Sequence, residues 1–211
     1  MREIAEAFAF FCAVLLFLWF LVIPAPWTGV LFPLAVGLSW RRRSLNWTSL
    51  GLGWRELRSS FRRWRVLWIV CTLLFLVLGY HFRLRPSMLE RGLIYFVWSA
   101  VQQVVYQSMM FMPLRKNLRS LALAAGLAGL AFAAVHAPNP ILVPATFAWG
   151  IASCLLFERC RTVWGLALMQ FMLSSMLLWV TPVQLNHNFR IGPRYYQTLK
   201  PPFGGPPGQL R

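Results

Sequence analysis

Seven apolar runs, parted by short stretches that hold most of the charge, decide what this chain can fold into. They cover residues 7–23, 27–40, 66–80, 92–112, 118–136, 141–157 and 162–181. Most approach the 20 or so residues that an α-helix needs to cross roughly 30 Å of hydrocarbon. In lipid, a helix also satisfies its own backbone N–H and C=O groups. At 58% hydrophobic and 12% charged residues, the chain is poorer in charge than a soluble domain. The predicted fold is all-α, a polytopic membrane helix bundle of about six or seven transmembrane helices. The second run is short and contains Pro33, so it reads as tilted, broken or re-entrant. The first reads as a retained helix, not a cleaved signal. Glu3 and Glu6 dilute the basic N-terminus, and Pro24-Ala25-Pro26-Trp27 leads straight into more apolar sequence.

The net charge of +16 first suggests a nucleic-acid partner, but its placement points to a membrane. Arg41, Arg42, Arg43, Arg55, Arg58, Arg62, Arg63 and Arg65 all fall between the second and third runs, with no nucleic-acid motif and with spans on either side. The positive-inside rule makes loop 41–65 cytoplasmic and holds it near anionic lipid headgroups. Alternation then puts the N-terminus, Arg115-Lys116-Asn117-Leu118-Arg119 and Arg159-Cys160-Arg161 on the same side, with Arg83, Arg85 and Arg91 on the other. Fourteen of the 21 Lys and Arg residues fall inside. A bacterial inner membrane fits this Arg- and Trp-rich composition. Within the loop, residues 54–65 read either as a surface helix with Trp54, Leu57, Phe61 and Trp64 on its apolar side, or as a solvated basic loop. Cys12, Cys71, Cys154 and Cys160 lack CxxC spacing and read as small buried residues.

The chain divides into an N-terminal hairpin with its Arg-rich loop (1–65), a membrane core (66–181) and a Pro/Gly-rich tail (182–211). Within the fifth run, Ala122 with Gly126 and Ala125 with Gly129 give small-residue pairs four apart. These admit close helix packing, and Gly150 and Gly165 fit the same role.

The chain has no Asp, and Glu3, Glu6, Glu56, Glu90 and Glu158 all avoid the middle of a run. The intramembrane polar set is Gln102, Gln103, Gln107, His136, Gln170, Ser174 and Ser175. Gln103 and Gln107 share a helix face, Gln102 pairs with Tyr106, and Gln170 shares a face with Ser174. Such groups turn inward, which brings the fourth, fifth and last runs together. Residue by residue, hydrogen bonding between helices accounts for them. His136, just before Ala137-Pro138-Asn139-Pro140, also fits a place among headgroups and water.

As a set, these residues follow a known pattern. Gln102-Gln103-Val104-Val105-Tyr106-Gln107 has the spacing of EExxxR. Phe132-Ala133-Ala134-Val135-His136 meets FxxxH in full and is followed by Ala137-Pro138-Asn139. Gln170-Phe171-Met172-Leu173-Ser174 has the spacing of HxxxN. Gly150, the basic turn Arg159-Cys160-Arg161 and Trp164 are also similar to the family pattern, as is Leu50-Gly51-Leu52 after the Arg/Trp-rich loop. The chain resembles the CPBP family of CAAX prenyl proteases, bacteriocin-processing proteins and Abi-type immunity proteins, which are intramembrane endopeptidases. The resemblance covers about 90–180. It implies a site at Gln102, Gln103, Gln107, His136, Gln170 and Ser174, where the family uses two Glu, one Arg, two His and one Asn. In the family the Glu pair and the His residues activate water, and the last His with Asn stabilises the oxyanion. Here Gln stands for Glu, Glu, Arg and the last His, and Ser stands for Asn. An amide oxygen cannot serve as the base that activates water.

The resemblance therefore implies a multi-pass protein with a degenerate, pseudoprotease centre that binds membrane peptides or lipidated substrates. The first alternative is an active protease in which His136 and Gln102 or Gln103 position water. The second is a transporter or channel component whose Gln/His cluster lines a path. No cofactor or metal is expected, because His81, His136 and His187 lie far apart and no HExxH is present. The expected partners are membrane lipids and a membrane peptide or lipidated protein, with oligomeric state left open.

Overall fold

The computed structural model describes residues 2–81 and 86–197, with side chains for all of these except 86–91. Arg83, Arg85, the side chain of Arg91 and the stretch 200–208 lie outside the described residues. Every regular element among those described is a helix. The order is α1 (Arg2–Leu16), α2 (Leu31–Arg42), α3 (Trp54–Arg63), α4 (Arg65–His81), α5 (Pro86–Val105), α6 (Met112–Asn117), α7 (Leu121–Ala134), α8 (Leu142–Cys160), α9 (Val163–Val180), α10 (Val183–Asn186) and α11 (Pro193–Gln197). A wide π-type turn at Phe17–Leu21 extends α1, and another at Tyr106–Phe111 joins α5 to α6.

All seven apolar runs fall on helices, and two helices among the described residues meet both the length and the hydropathy of a membrane span. Arg2–Leu21 and Val163–Val180 are long and apolar enough. The pair Trp54–Arg63 and Arg65–His81 would make a third, although it is bent by 86°. That count covers the described residues alone; α5 and α8, at 20 and 19 residues, are also of spanning length, whereas other runs fold as shorter pieces. Run 27–40 divides between a tight turn at Pro26–Val30 and the 12-residue α2. The 14 residues of α7 reach only about 21 Å at 1.5 Å per residue.

The bend at Trp64 turns α3 away from α4. Ser60 and Trp64 face the protein, whereas Trp54 and Phe61 point outward. The sequence places all these aromatics on one apolar side. Instead, Ser60 takes the inner position because it packs against the bare Cα of Gly165 at the start of α9. Farther along, α4 buries only Trp68, Cys71 and Gly79. It leaves Ile69, Leu73, Leu76 and Val77 exposed, an apolar surface that suits lipid and would be costly in water.

Ion pairs gather the basic segments at one end. Lys116 Nζ meets Glu3 Oε1 at 2.6 Å, Arg115 Nε meets Glu158 Oε1 at 3.0 Å, and Arg63 Nη1 donates to the Arg159 carbonyl at 3.1 Å. Burial lowers the Arg43 pKa below its ordinary value, and Glu6 and Glu3 oppose the shift. At the other end, Asn139 Nδ2 donates to the carbonyls of Asn186 and Arg190, and Gly192 N–H donates to the Ala137 carbonyl. Residues 182–197 thus lie against the bundle. Cys71, Cys154 and Cys160 are buried, and Cys12 is partly exposed.

Two helix pairs form the centre. Along α7, Ala124, Ala125, Ala128 and Gly129 are buried against α8. A Cβ on Gly150 would lie 2.9 Å from the Gly129 Cα, so the two backbones touch. The Ala125–Gly129 pair read from the sequence is at this contact. Gly126 is not, since a Cβ there would meet nothing within 4 Å. Helix α5 packs along α9 and carries the amides.

Candidate functional site

On α5 and its wide turn, Ser99, Gln103 and Gln107 recur every fourth residue and are almost wholly buried. That spacing keeps them on one face of a helix. The wide turn starts just before Gln107, and its extra residue per turn also carries Tyr106, Ser108, Met109 and Phe111 inward. Wide turns of this kind recur at functional sites.

The four glutamines form one directed chain. Gln107 Nε2 donates to Gln103 Oε1 at 3.0 Å, Gln103 Nε2 donates to Gln170 Oε1 at 2.6 Å, and Gln170 Nε2 donates to Gln102 Oε1 at 2.8 Å. Helix α8 closes its sides. Trp149 Nε1 also donates to Gln170 Oε1, at 3.1 Å, and Gln107 Nε2 reaches Ser153 Oγ at 3.3 Å. Gln102, Gln103, Gln107 and Gln170 are therefore brought together. The fourth and last runs meet as the sequence implies, and the sixth joins them. Two buried polar atoms in this strip, Gln107 Oε1 and Ser99 Oγ, have no hydrogen-bond partner among the described residues.

His136 and Ser174 are not members of this chain of amides. His136 Nδ1 lies 2.6 Å from the Phe132 carbonyl. A carbonyl only accepts, so Nδ1 carries the proton and Nε2 of the neutral ring keeps a lone pair. The imidazole stands edge-on to the Phe132 ring at 4.8 Å, and Phe132 leans on Tyr106 at 4.7 Å. No hydrogen bond among the described residues joins His136 to a glutamine. The two are linked only by this aromatic stack. Ser174, one turn beyond Gln170, makes no hydrogen bond to the amide chain among the described residues.

Several members of the site were not singled out from the sequence. Tyr106, read as a partner of Gln102, instead donates from its hydroxyl to the Gly150 carbonyl at 3.1 Å, and that hydroxyl lies 3.2 Å from Cys154 Sγ. Ser153 Oγ donates to the same carbonyl at 3.0 Å. The available signal was Trp149-Gly150 with Ser153-Cys154 in an otherwise apolar run. An indole N–H and a hydroxyl in such a run need acceptors, which only a polar neighbouring helix supplies.

Chemically, the chain of amides is a neutral relay of donors and acceptors. Nothing in it exchanges a proton near neutral pH. It can hold a peptide group or a carbonyl by hydrogen bonds, and it supplies no base.

Residues 93–176 match the family model described as type II CAAX prenyl endopeptidase, Rce1-like. No curated protein and no solved structure matches the chain. The match begins within α5, runs through the wide turn, α6, α7 and α8 and ends within α9, so it covers every glutamine of the network and His136. Across residues 93–176 the chain is similar to the CAAX-type endopeptidases, and its apolar helices are those of an integral membrane protein.

Proposed function

We propose that the protein binds a membrane peptide or a lipidated protein segment at the glutamine chain without cleaving it. The observation that carries this reading is the bonding of Gln102, Gln103, Gln107 and Gln170 to one another, where the family pattern has ionisable groups. Hydrolysis of an amide needs a base whose pKa lies near the working pH, and an amide oxygen is not one. Gln is close to Glu in size, so the donors and acceptors stay while the cost of burying charge disappears. Gln107 Oε1 and Ser99 Oγ, buried without partners, offer acceptors to a peptide N–H.

One observation favours a second reading, an active variant. With Nδ1 tied to the Phe132 carbonyl, His136 Nε2 is the one nitrogen at the site with a lone pair for taking a proton. Full-length protein in nanodiscs, mixed with a farnesylated CAAX peptide, separates the two. Retention of intact peptide supports binding. A cleaved product that disappears in His136→Ala supports the active variant.

For localisation, we place the basic end, with loop 41–65, in the cytoplasm of a bacterial cell with the protein in the inner membrane. The support is the positive-inside bias together with the ion pairs that join the N-terminus, Arg115, Lys116 and Glu158 at that end. Cysteine labelling at position 47 in intact and opened cells tests the orientation. Labelling in intact cells would reverse it.

A further inference from the structure

At the basic end, where the 46–49 turn, α3 and the corner between α8 and α9 meet, lies a cavity of about 570 Å³. Arg63, Arg159 and Arg161 line it, with Thr48, Ser49 and Ser59; Ser49 Oγ donates to the Asn46 carbonyl at 2.8 Å and Ser59 Oγ to the Glu56 carbonyl at 3.0 Å. Its walls are built independently of any ligand. Asn46 and Ser49 close a turn in which Ser49 N–H donates to Asn46 Oδ1 and Asn46 N–H donates to Ser49 Oγ, both at 2.8 Å. Arg161 ends α8 in the left-handed region at φ +46° and donates its N–H to the Phe157 carbonyl at 2.8 Å. The 50–52 stretch docks on this corner, with Val163 N–H on the Gly51 carbonyl at 2.8 Å and Trp164 Nε1 on the Leu52 carbonyl at 3.0 Å. Only glycine fits at 51, since a Cβ there would lie 2.6 Å from the Arg161 carbonyl oxygen.

The positive charge of the cavity is left over after internal pairing. Glu158 serves Arg115 at 3.0 Å and reaches Arg161 only at 3.5 Å. The carboxylate of Glu56, on the cavity wall, folds back over Gly53, where the N-terminal dipole of α3 favours it. Arg63 and Arg159 make no ion pair among the described residues. Three like charges held in one concavity repel each other. The guanidinium forks supply the donors that a tetrahedral phosphate accepts.

We infer that this cavity binds a phosphate group, carried either by a membrane lipid headgroup or by a free phosphate anion. The site is separate from the glutamine chain and does not depend on the function proposed for it. Trp47, in the same turn, and Trp54, on the lining helix, are 74% and 76% exposed, as suits rings at headgroup level.

The test uses full-length protein in detergent, mixed with phosphatidylglycerol or phosphatidylcholine and read by native mass spectrometry. A parallel arm follows thermal unfolding with inorganic phosphate alone. The cavity variant combines Arg63→Gln, Arg159→Gln and Arg161→Asn, since Asn tolerates the left-handed backbone. The control, Arg55→Gln with Arg58→Gln and Arg62→Gln, removes the same charge outside the cavity. Wild type and control should retain phosphatidylglycerol over phosphatidylcholine. The cavity variant should lose on the order of a hundredfold in affinity, at roughly fivefold for each guanidinium. Phosphate that raises the melting temperature of wild type and control but not of the cavity variant, with no lipid retained, assigns the site to the free anion. Equal losses in cavity variant and control would overturn the site in favour of diffuse charge. So would failure of wild type to take either probe. If the triple variant does not fold, Arg159→Gln alone carries the test, because that side chain is exposed and makes no hydrogen bond.

Discussion

The two helix pairs at the centre of the bundle are joined by opposite means. Between α7 and α8 the side chains are nearly absent. Ala124, Ala125, Ala128 and Gly129 face α8, and the backbones of Gly129 and Gly150 touch. Between α5 and α9 the contact is made by long polar side chains, four glutamines linked end to end with an indole on the flank. Lipid supplies little hydrophobic drive between helices, so one pair relies on close van der Waals approach and the other on hydrogen bonds. The first contact should therefore be intolerant of volume and indifferent to chemistry. The second should tolerate volume and be sensitive to the loss of any donor or acceptor.

The largest effect is expected at the touching backbones. Gly150→Leu would press a side chain into Gly129 and the Tyr106 hydroxyl, costing about 3 kcal/mol or more, read as thermal unfolding in detergent. Gly126→Ala, three residues from Gly129 but free of contact, should stay within about 0.5 kcal/mol of wild type. Next comes Gln170→Leu, which strips Gln103 Nε2 and Trp149 Nε1 of their acceptor and Gln102 Oε1 of its donor. We expect a loss of about 2 kcal/mol. A loss as large as that of Gly150→Leu would erase the distinction between the two contacts. A double-mutant cycle of Gln103→Leu and Gln170→Leu should give a coupling of about 1 kcal/mol, and zero coupling would mean that their hydrogen bond does not hold the helices. Smallest is Tyr106→Phe, which keeps the ring on Phe132 and loses the bond to the Gly150 carbonyl, at about 1 kcal/mol or less.

The same two contacts show what could be read in the sequence. Spacing of four revealed which faces of α5 and α9 were polar, and FxxxH singled out His136. Spacing on one helix gives an azimuth on that helix, but not which residue of another helix will face it. For that reason the sequence does not point to Trp149, Ser153 and Cys154 of α8 as members of the site, and the spacing of Ser174 from Gln170 does not show that Ser174 stays out of the amide chain. Of the two small-residue pairs on α7, only Ala125 with Gly129 lies at the contact, because Gly126 faces away. The docking of Gly51 and Leu52 on the α8–α9 corner rests on bonds between residues more than 100 apart, from Val163 N–H to the Gly51 carbonyl and from the Trp164 indole to the Leu52 carbonyl, and spacing along one helix does not encode them. The apolar runs themselves were legible, since every one of them is helical. The short second run with Pro33 reads as tilted, broken or re-entrant, whereas the sharp bend between α3 and α4 depends on how α3 packs and no spacing gives it.

The central claim is that the glutamine chain holds a ligand and does not activate water. It is tested most directly by incubating full-length protein in nanodiscs with a farnesylated CAAX peptide and following bound and cleaved peptide by mass spectrometry, in wild type and in His136→Ala. The prediction is intact peptide retained by both proteins, with retention weakened in Gln103→Leu. Peptide cleaved by wild type and left whole by His136→Ala would contradict it.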